Sequence, residues 1–190
     1  MPVARINDIE VNYKLEGDGA ETIVLINGLA DDLETWVFQV EDLLAAGYRV
    51  LRFDNRGIGA SSKPAGPYSS RMLADDAKAL VDSLGITDFH LMGVSMGGMI
   101  AQEYALAYGP DLRSATFACT YAAPGPFCSR MFDMWAGWRR SLASRTSCGT
   151  SPCGPSPFRS LSSAVRNWPS SRPRCGTWTS RSTPTSPSSP

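Results

Sequence analysis

Along the first 120 residues the chain alternates between two hydrophobic periods. Ala4–Asn7 and Glu10–Leu15 alternate apolar and polar positions on either side of the turn pair Asn7-Asp8, which predicts an opening β-hairpin. Glu16-Gly17-Asp18-Gly19 is a second turn. Thr22–Ile26 (TIVLI) is a short apolar, β-branched run, the pattern of a parallel strand covered on both faces. The period then changes. Trp36, Val40, Leu43 and Leu44 recur at helical spacing within Thr35–Ala46, and Gly47 ends the helix. Arg49–Phe53 predicts another strand, followed by a Gly-, Ser- and Pro-rich loop from Asp54 to Ser70. Met72–Leu84 carries a helical apolar stripe stopped by Gly85. Phe89–Gly93 is a strand, Met96–Tyr108 a helix of small residues closed by Gly109-Pro110, and Leu112–Cys119 is again strand-like.

A hairpin followed by alternating strands and helices predicts an α/β fold with a mostly parallel sheet. Right-handed crossovers put helices on both faces, and ligand sites in such sheets lie beyond the carboxyl ends of the strands. The loops after Ile26, Phe53 and Gly93 are therefore the ones to read for chemistry.

Composition divides the chain at about residue 138. The whole sequence has 18 Lys+Arg and 18 Asp+Glu. Residues 1–138 hold all 18 acids against 10 bases, a net charge of −8. Residues 139–190 hold 8 Arg, no Lys and no acid, with 15 Ser, 8 Pro and 3 of the 5 Cys. The first part predicts one globular domain of a size able to bury a core. No apolar run reaches the roughly 20 residues of a membrane span, and Met1 to Gly17 lacks a secretory apolar core. A cytoplasmic location is expected. Cys119, Cys128, Cys148, Cys153 and Cys175 make no zinc or disulfide pattern, so no metal is expected.

Gly93-Val94-Ser95-Met96-Gly97-Gly98 joins a strand to a helix. G-x-S-x-G in that setting is the pattern of a nucleophile elbow. Gly93 and Gly97 leave room for the tight turn, the Ser95 hydroxyl projects from it, and the following helix aims its positive end at a developing oxyanion. The competing reading is a plain strand-to-helix turn. Ile26-Asn27-Gly28-Leu29 follows the first apolar strand, where the loop supplies a second oxyanion donor. The candidates are the backbone N–H groups of Leu29 and Met96. The alternative here is an ordinary turn built on Asn and Gly. Asp54-Asn55-Arg56-Gly57-Ile58-Gly59-Ala60-Ser61 is read as structural, with Asp54 capping its loop. His90, the one histidine of the chain, stands five residues before Ser95 in the same strand, roughly 16 Å away. A general base must reach hydrogen-bond distance, so His90 is read as structural.

The hairpin, LINGL, FDNRGIGAS and GVSMGG, in this order, resemble the α/β-hydrolase fold family, over about residues 3–138. The branch they look most like holds the cofactor-free esterases and lactonases similar to 3-oxoadipate enol-lactonase. Relatives usually carry His-Gly where this chain has Asn27-Gly28. The resemblance implies a small ester or lactone as substrate, Ser95 as nucleophile, no cofactor, and a histidine and an acid on later strands. A serine rather than an aspartate at the elbow speaks against the dehalogenase and epoxide hydrolase branches. After Asp133 the chain has no acid and after His90 no histidine, so the expected protein is a hydrolase domain without its last strands and cap, inactive as it stands. The tail composition is that of GC-rich coding DNA in a wrong frame, which places a frameshift near Gly137 and predicts a disordered 139–190. A genuine Ser/Arg/Pro segment contacting nucleic acid is the competing reading of the tail, disfavoured because RS and RGG repeats are absent. No nucleic-acid or membrane partner is expected. A receptor-like binding protein on the same fold, or a non-catalytic fragment, is the alternative to catalysis.

Overall fold

The computed structural model describes residues 2–134. Val3–Ile6 (β1) and Ile9–Glu16 (β2) form the hairpin, with Asn7 and Asp8 both at positive φ in the turn. Thr22–Ile26 (β3), Arg49–Phe53 (β4), Phe89–Val94 (β5) and Leu112–Ala118 (β6) complete a six-stranded sheet in the order β1-β2-β4-β3-β5-β6. β4, β3, β5 and β6 run parallel, and β2 joins β4 antiparallel. The four parallel strands expected from the sequence are thus neighbours, and the fold is α/β.

The helices are Val37–Ala45 (α1), Ser70–Ser83 (α2) and Met96–Tyr108 (α3). The first begins differently from the helix expected over Thr35–Ala46. Asp32 accepts from Glu34 N at 3.0 Å and caps a 3-10 turn, Leu33–Trp36, which leads into α1. α2 starts two residues ahead of its apolar stripe because Ser69 Oγ accepts from Met72 N. Residues 126–134 are helical as well, an element the hydrophobic pattern did not predict.

Strand periodicity sorts the core into two layers. Ile23 and Leu25 of β3 and Val50 of β4 pack on Trp36 and Val40, on the α1 face. Val24, Ile26, Leu51 and Phe53 point the other way, against Leu73, Ala77, Leu80, Ile100 and Tyr104 of α2 and α3. All five β3 side chains are buried, as a strand between two helical layers requires. The register sets Ile26 opposite Gly93, and Val94 opposite Ala118. The loops that begin at Asn27, Asp54, Ser95 and Cys119 therefore share one end of the sheet.

Candidate active site

Ser95 stands between β5 and α3 at φ 54°, ψ −116°, a left-handed conformation that a β-carbon makes costly. Its N–H donates to Ala118 O at 2.9 Å, and its carbonyl accepts from Gly98 N. The elbow is thereby fastened to the end of β6 on one side and to the first turn of α3 on the other. The glycines around it are required by contact. A β-carbon on Gly93 would lie 2.2 Å from Gly97 O, and one on Gly97 would lie 2.2 Å from Ile26 O. The Ser95 side chain is exposed, while Gly97 and Gly98 are buried beneath it.

Leu29, in the loop after β3, and Met96, the first residue of α3, are both half-buried. Neither N–H has an acceptor among the described residues. Met96 N–H is thus a free donor at the amino end of α3, and Leu29 N–H a free donor next to Gly28, whose α-carbon faces Ser95. Donors left free in this way can stabilise an oxyanion.

The Asn27 side chain has a role that its backbone motif did not reveal. It is fully buried, donates to Phe53 O at 2.8 Å and accepts from Trp36 Nε1 at 2.6 Å. One amide thus joins the β3 loop to the end of β4 and to the start of α1. The indole N–H needs a buried acceptor, and that was the available signal.

Asp54 does what the sequence indicated. Buried, it accepts from Leu33 N at 2.8 Å, Asn12 Nδ2 at 2.8 Å and Ala60 N at 2.9 Å, while its own carbonyl accepts from Ser61 Oγ. Gly59 passes so close that a β-carbon there would overlap the Asp54 carboxylate. Arg56 closes on Asp76 of α2, which also accepts from Asn7 Nδ2 at 3.0 Å. The hydrogen bond to Asp76 raises the guanidinium pKa further above its ordinary value, against the opposing pull of burial.

His90 lies at the other end of β5, opposite Ile23 and Ser114. Its Nδ1 is 2.8 Å from Ser114 Oγ, its Nε2 3.5 Å from Glu21, and its ring meets Tyr48 edge-on. These contacts keep it away from Ser95.

A match to the α/β-hydrolase fold family spans residues 21–146. The chain belongs to that family. Among its relatives is a carbamate hydrolase, described as putative, from Azorhizobium caulinodans, 34% identical over 134 residues that make up 70% of this chain and 50% of the relative. A 3-oxoadipate enol-lactonase of Acinetobacter baylyi is 34% identical over 119 residues, 62% of this chain and 44% of that protein. The crystal structure of an enol-lactonase from Burkholderia xenovorans superimposes with a TM-score of 0.66 at 33% identity, over 76% of this chain and 58% of the other. The chain spans about half the length of the curated relatives it matches. Among the described residues no helix is long and apolar enough to cross a membrane. The reading of residues 139–190 as a disordered, frameshift-derived tail falls outside the described residues.

Proposed function

We propose that this α/β-hydrolase chain derives from a serine hydrolase of small carboxylic esters or lactones, with Ser95 as nucleophile. The observation that carries the reading is the positive φ of Ser95 between two contact-enforced glycines. Strain of this kind persists only where the surrounding structure over-determines it, and it concentrates at working sites. In the proposed reaction Ser95 Oγ attacks the ester carbonyl. The N–H groups of Leu29 and Met96 hold the resulting oxyanion. Collapse expels the alcohol and leaves an acyl-serine, which water then hydrolyses to the acid.

That cycle needs a base to take the Ser95 proton, and one observation favours a second reading for the 190-residue chain itself. Its only histidine is engaged at the opposite end of β5. We propose that the histidine and acid of the parent are encoded in another frame beyond about Gly137. The abrupt loss of acids and lysines after that point supports this, and the chain as it stands is then a non-catalytic form. Loss of such partners removes on the order of a millionfold in rate, and an oxyanion hole alone retains about 10³–10⁴ over water.

The test is hydrolysis of p-nitrophenyl esters and small lactones, together with sequencing of the gene across codons 130–145. The 190-residue chain is expected to show no turnover. The frame-restored product is expected to hydrolyse at least one substrate and to lose that activity on Ser95→Ala. Ester hydrolysis by the 190-residue chain that Ser95→Ala abolishes would mean that another group serves as base, and the non-catalytic reading would fall.

A further inference from the structure

We infer that the Asp31 carboxylate sorts esters by charge, favouring those that carry a cationic group near the reacting carbonyl and disfavouring anionic ones. The inference rests on the reading of Ser95 as the reacting residue. Its basis is a close approach across Gly28. A β-carbon on Gly28 would lie 2.7 Å from Asp31 Oδ2 and 3.6 Å from both Ser95 Cβ and Val94 O. These distances run from one point, so Asp31 Oδ2 lies no more than about 6.3 Å from Ser95 Cβ, close enough for unit charges to matter at a protein surface. Because Gly28 has no side chain, the carboxylate can sit against the loop backbone at this distance from Ser95.

The other acids in these loops are already engaged. Asp54 accepts from Leu33 N, Asn12 Nδ2 and Ala60 N, Asp32 caps the 3-10 turn, and Glu34 pairs with Lys14 and Arg52. The nearby bases are committed too, Arg52 to Glu16 and Glu34, and Arg56 to Asp76. Asp31, half-buried, takes no hydrogen bond or ion pair among the described residues. Among the described residues it is therefore a carboxylate near Ser95 with no cation paired to it. A substrate ammonium can supply that charge. A substrate carboxylate meets repulsion, in addition to the negative charge that develops on the oxyanion in every case. An enol-lactone of 3-oxoadipate retains a free carboxylate and falls on the disfavoured side.

The test uses the 190-residue chain and binding rather than turnover. Amide shifts of Gly28, Ser95 and Met96 are followed by NMR during titration with three esters. These are acetylcholine, its neutral isostere 3,3-dimethylbutyl acetate, and the anion of monomethyl succinate. At low salt acetylcholine is expected to bind roughly three- to tenfold more tightly than the neutral isostere, with the anion weakest. Added salt narrows the spread. Asp31→Asn brings the three affinities together, whereas Asp32→Asn, which keeps a capping oxygen, leaves them apart. Equal affinities in the unmodified chain, or a spread that survives Asp31→Asn, overturn charge sorting and leave the Ser95 reading standing. If no ester of any charge moves these amides, charge sorting at Asp31 falls, and the Ser95 reading is decided separately by hydrolysis with the frame-restored product.

Discussion

At Ser95 the backbone holds φ 54° and ψ −116°, and the crowding comes from the β-carbon, not from the hydroxyl. Removing the oxygen and removing the β-carbon should therefore act differently on stability. Ser95→Ala keeps the strained atom. Ser95→Gly relieves roughly 1–3 kcal/mol of local strain and loses about 0.4–1 kcal/mol through a freer unfolded chain. The glycine variant is expected to be more stable than the alanine variant by about 1 kcal/mol, read from urea midpoints. A glycine variant at or below the stability of Ser95→Ala would show that the turn is relaxed. Asn27 and Asp31 illustrate how far a single position can be read. Both stand in a loop that its Asn-Gly pair marks as a turn, yet neither the Asn27 link between Trp36 and Phe53 nor the approach of Asp31 to Ser95 follows from the residue types.

Among the elements, β4 departs most from its pattern. Arg52 lies in a strand whose neighbours Val50, Leu51 and Phe53 are core residues, and its side chain is itself buried. The guanidinium donates to Glu16, to Leu33 O at 3.0 Å and to Glu34 at 3.0 Å, so its charge and its donors are shared among β2, the 3-10 turn and β4. The Lys14 hydrogen bond, then the charges of Arg52 and Lys14, hold the Glu34 carboxyl below its usual range, and partial burial opposes them. A carboxyl lowered in the folded state adds stability above its unfolded pKa, near 4.3, and that stability fades as pH falls through the folded value. Glu34→Gln is thus expected to be less stable than the unmodified chain at pH 7. The two should converge towards pH 2–3, a difference kept small by the exposure of Glu34. Thermal midpoints across that range measure it, and a gap that widens in acid would contradict the assignment.

On the scale of the whole molecule, Asp76 ties together three distant segments. From α2 it receives Arg56 of the loop after β4 and Asn7 of the opening hairpin. The side chains of Arg56 and Asp76 are 11% and 4% exposed, so removing one partner leaves a nearly buried charge unpaired. Asp76→Ala is expected to lose roughly 3–5 kcal/mol, a large share of the 5–15 kcal/mol typical of a domain. The loss should appear as a lower urea midpoint with an unchanged slope, because the tie belongs to the cooperative fold. Replacing both partners by apolar residues of similar volume should recover much of it. A loss below about 1 kcal/mol would place the pair with ordinary surface bridges.

Element order was legible in the sequence because period and turn chemistry are properties of neighbouring residues. The period-2 hairpin, the TIVLI run, the helical stripes and the glycines after Ala46 and Leu84 each act over a few positions. The G-V-S-M-G-G turn was legible for the same reason, since its tightness is local. The 3-10 entry into α1 was blurred because a cap and a stripe overlap there. What only the tertiary structure decided is which loops meet. β4 enters between β2 and β3, and this brings Asn27 to Phe53 and Asp54 to Asn12. The partners of Arg52 and Asp76 lie 18 to 69 residues away in the chain. Such pairings depend on which strands become neighbours and which side chains are then shut away from water. No local pattern carries that information, so the position of Asp31 beside Ser95 became visible only once the two loops stood at one end of the sheet.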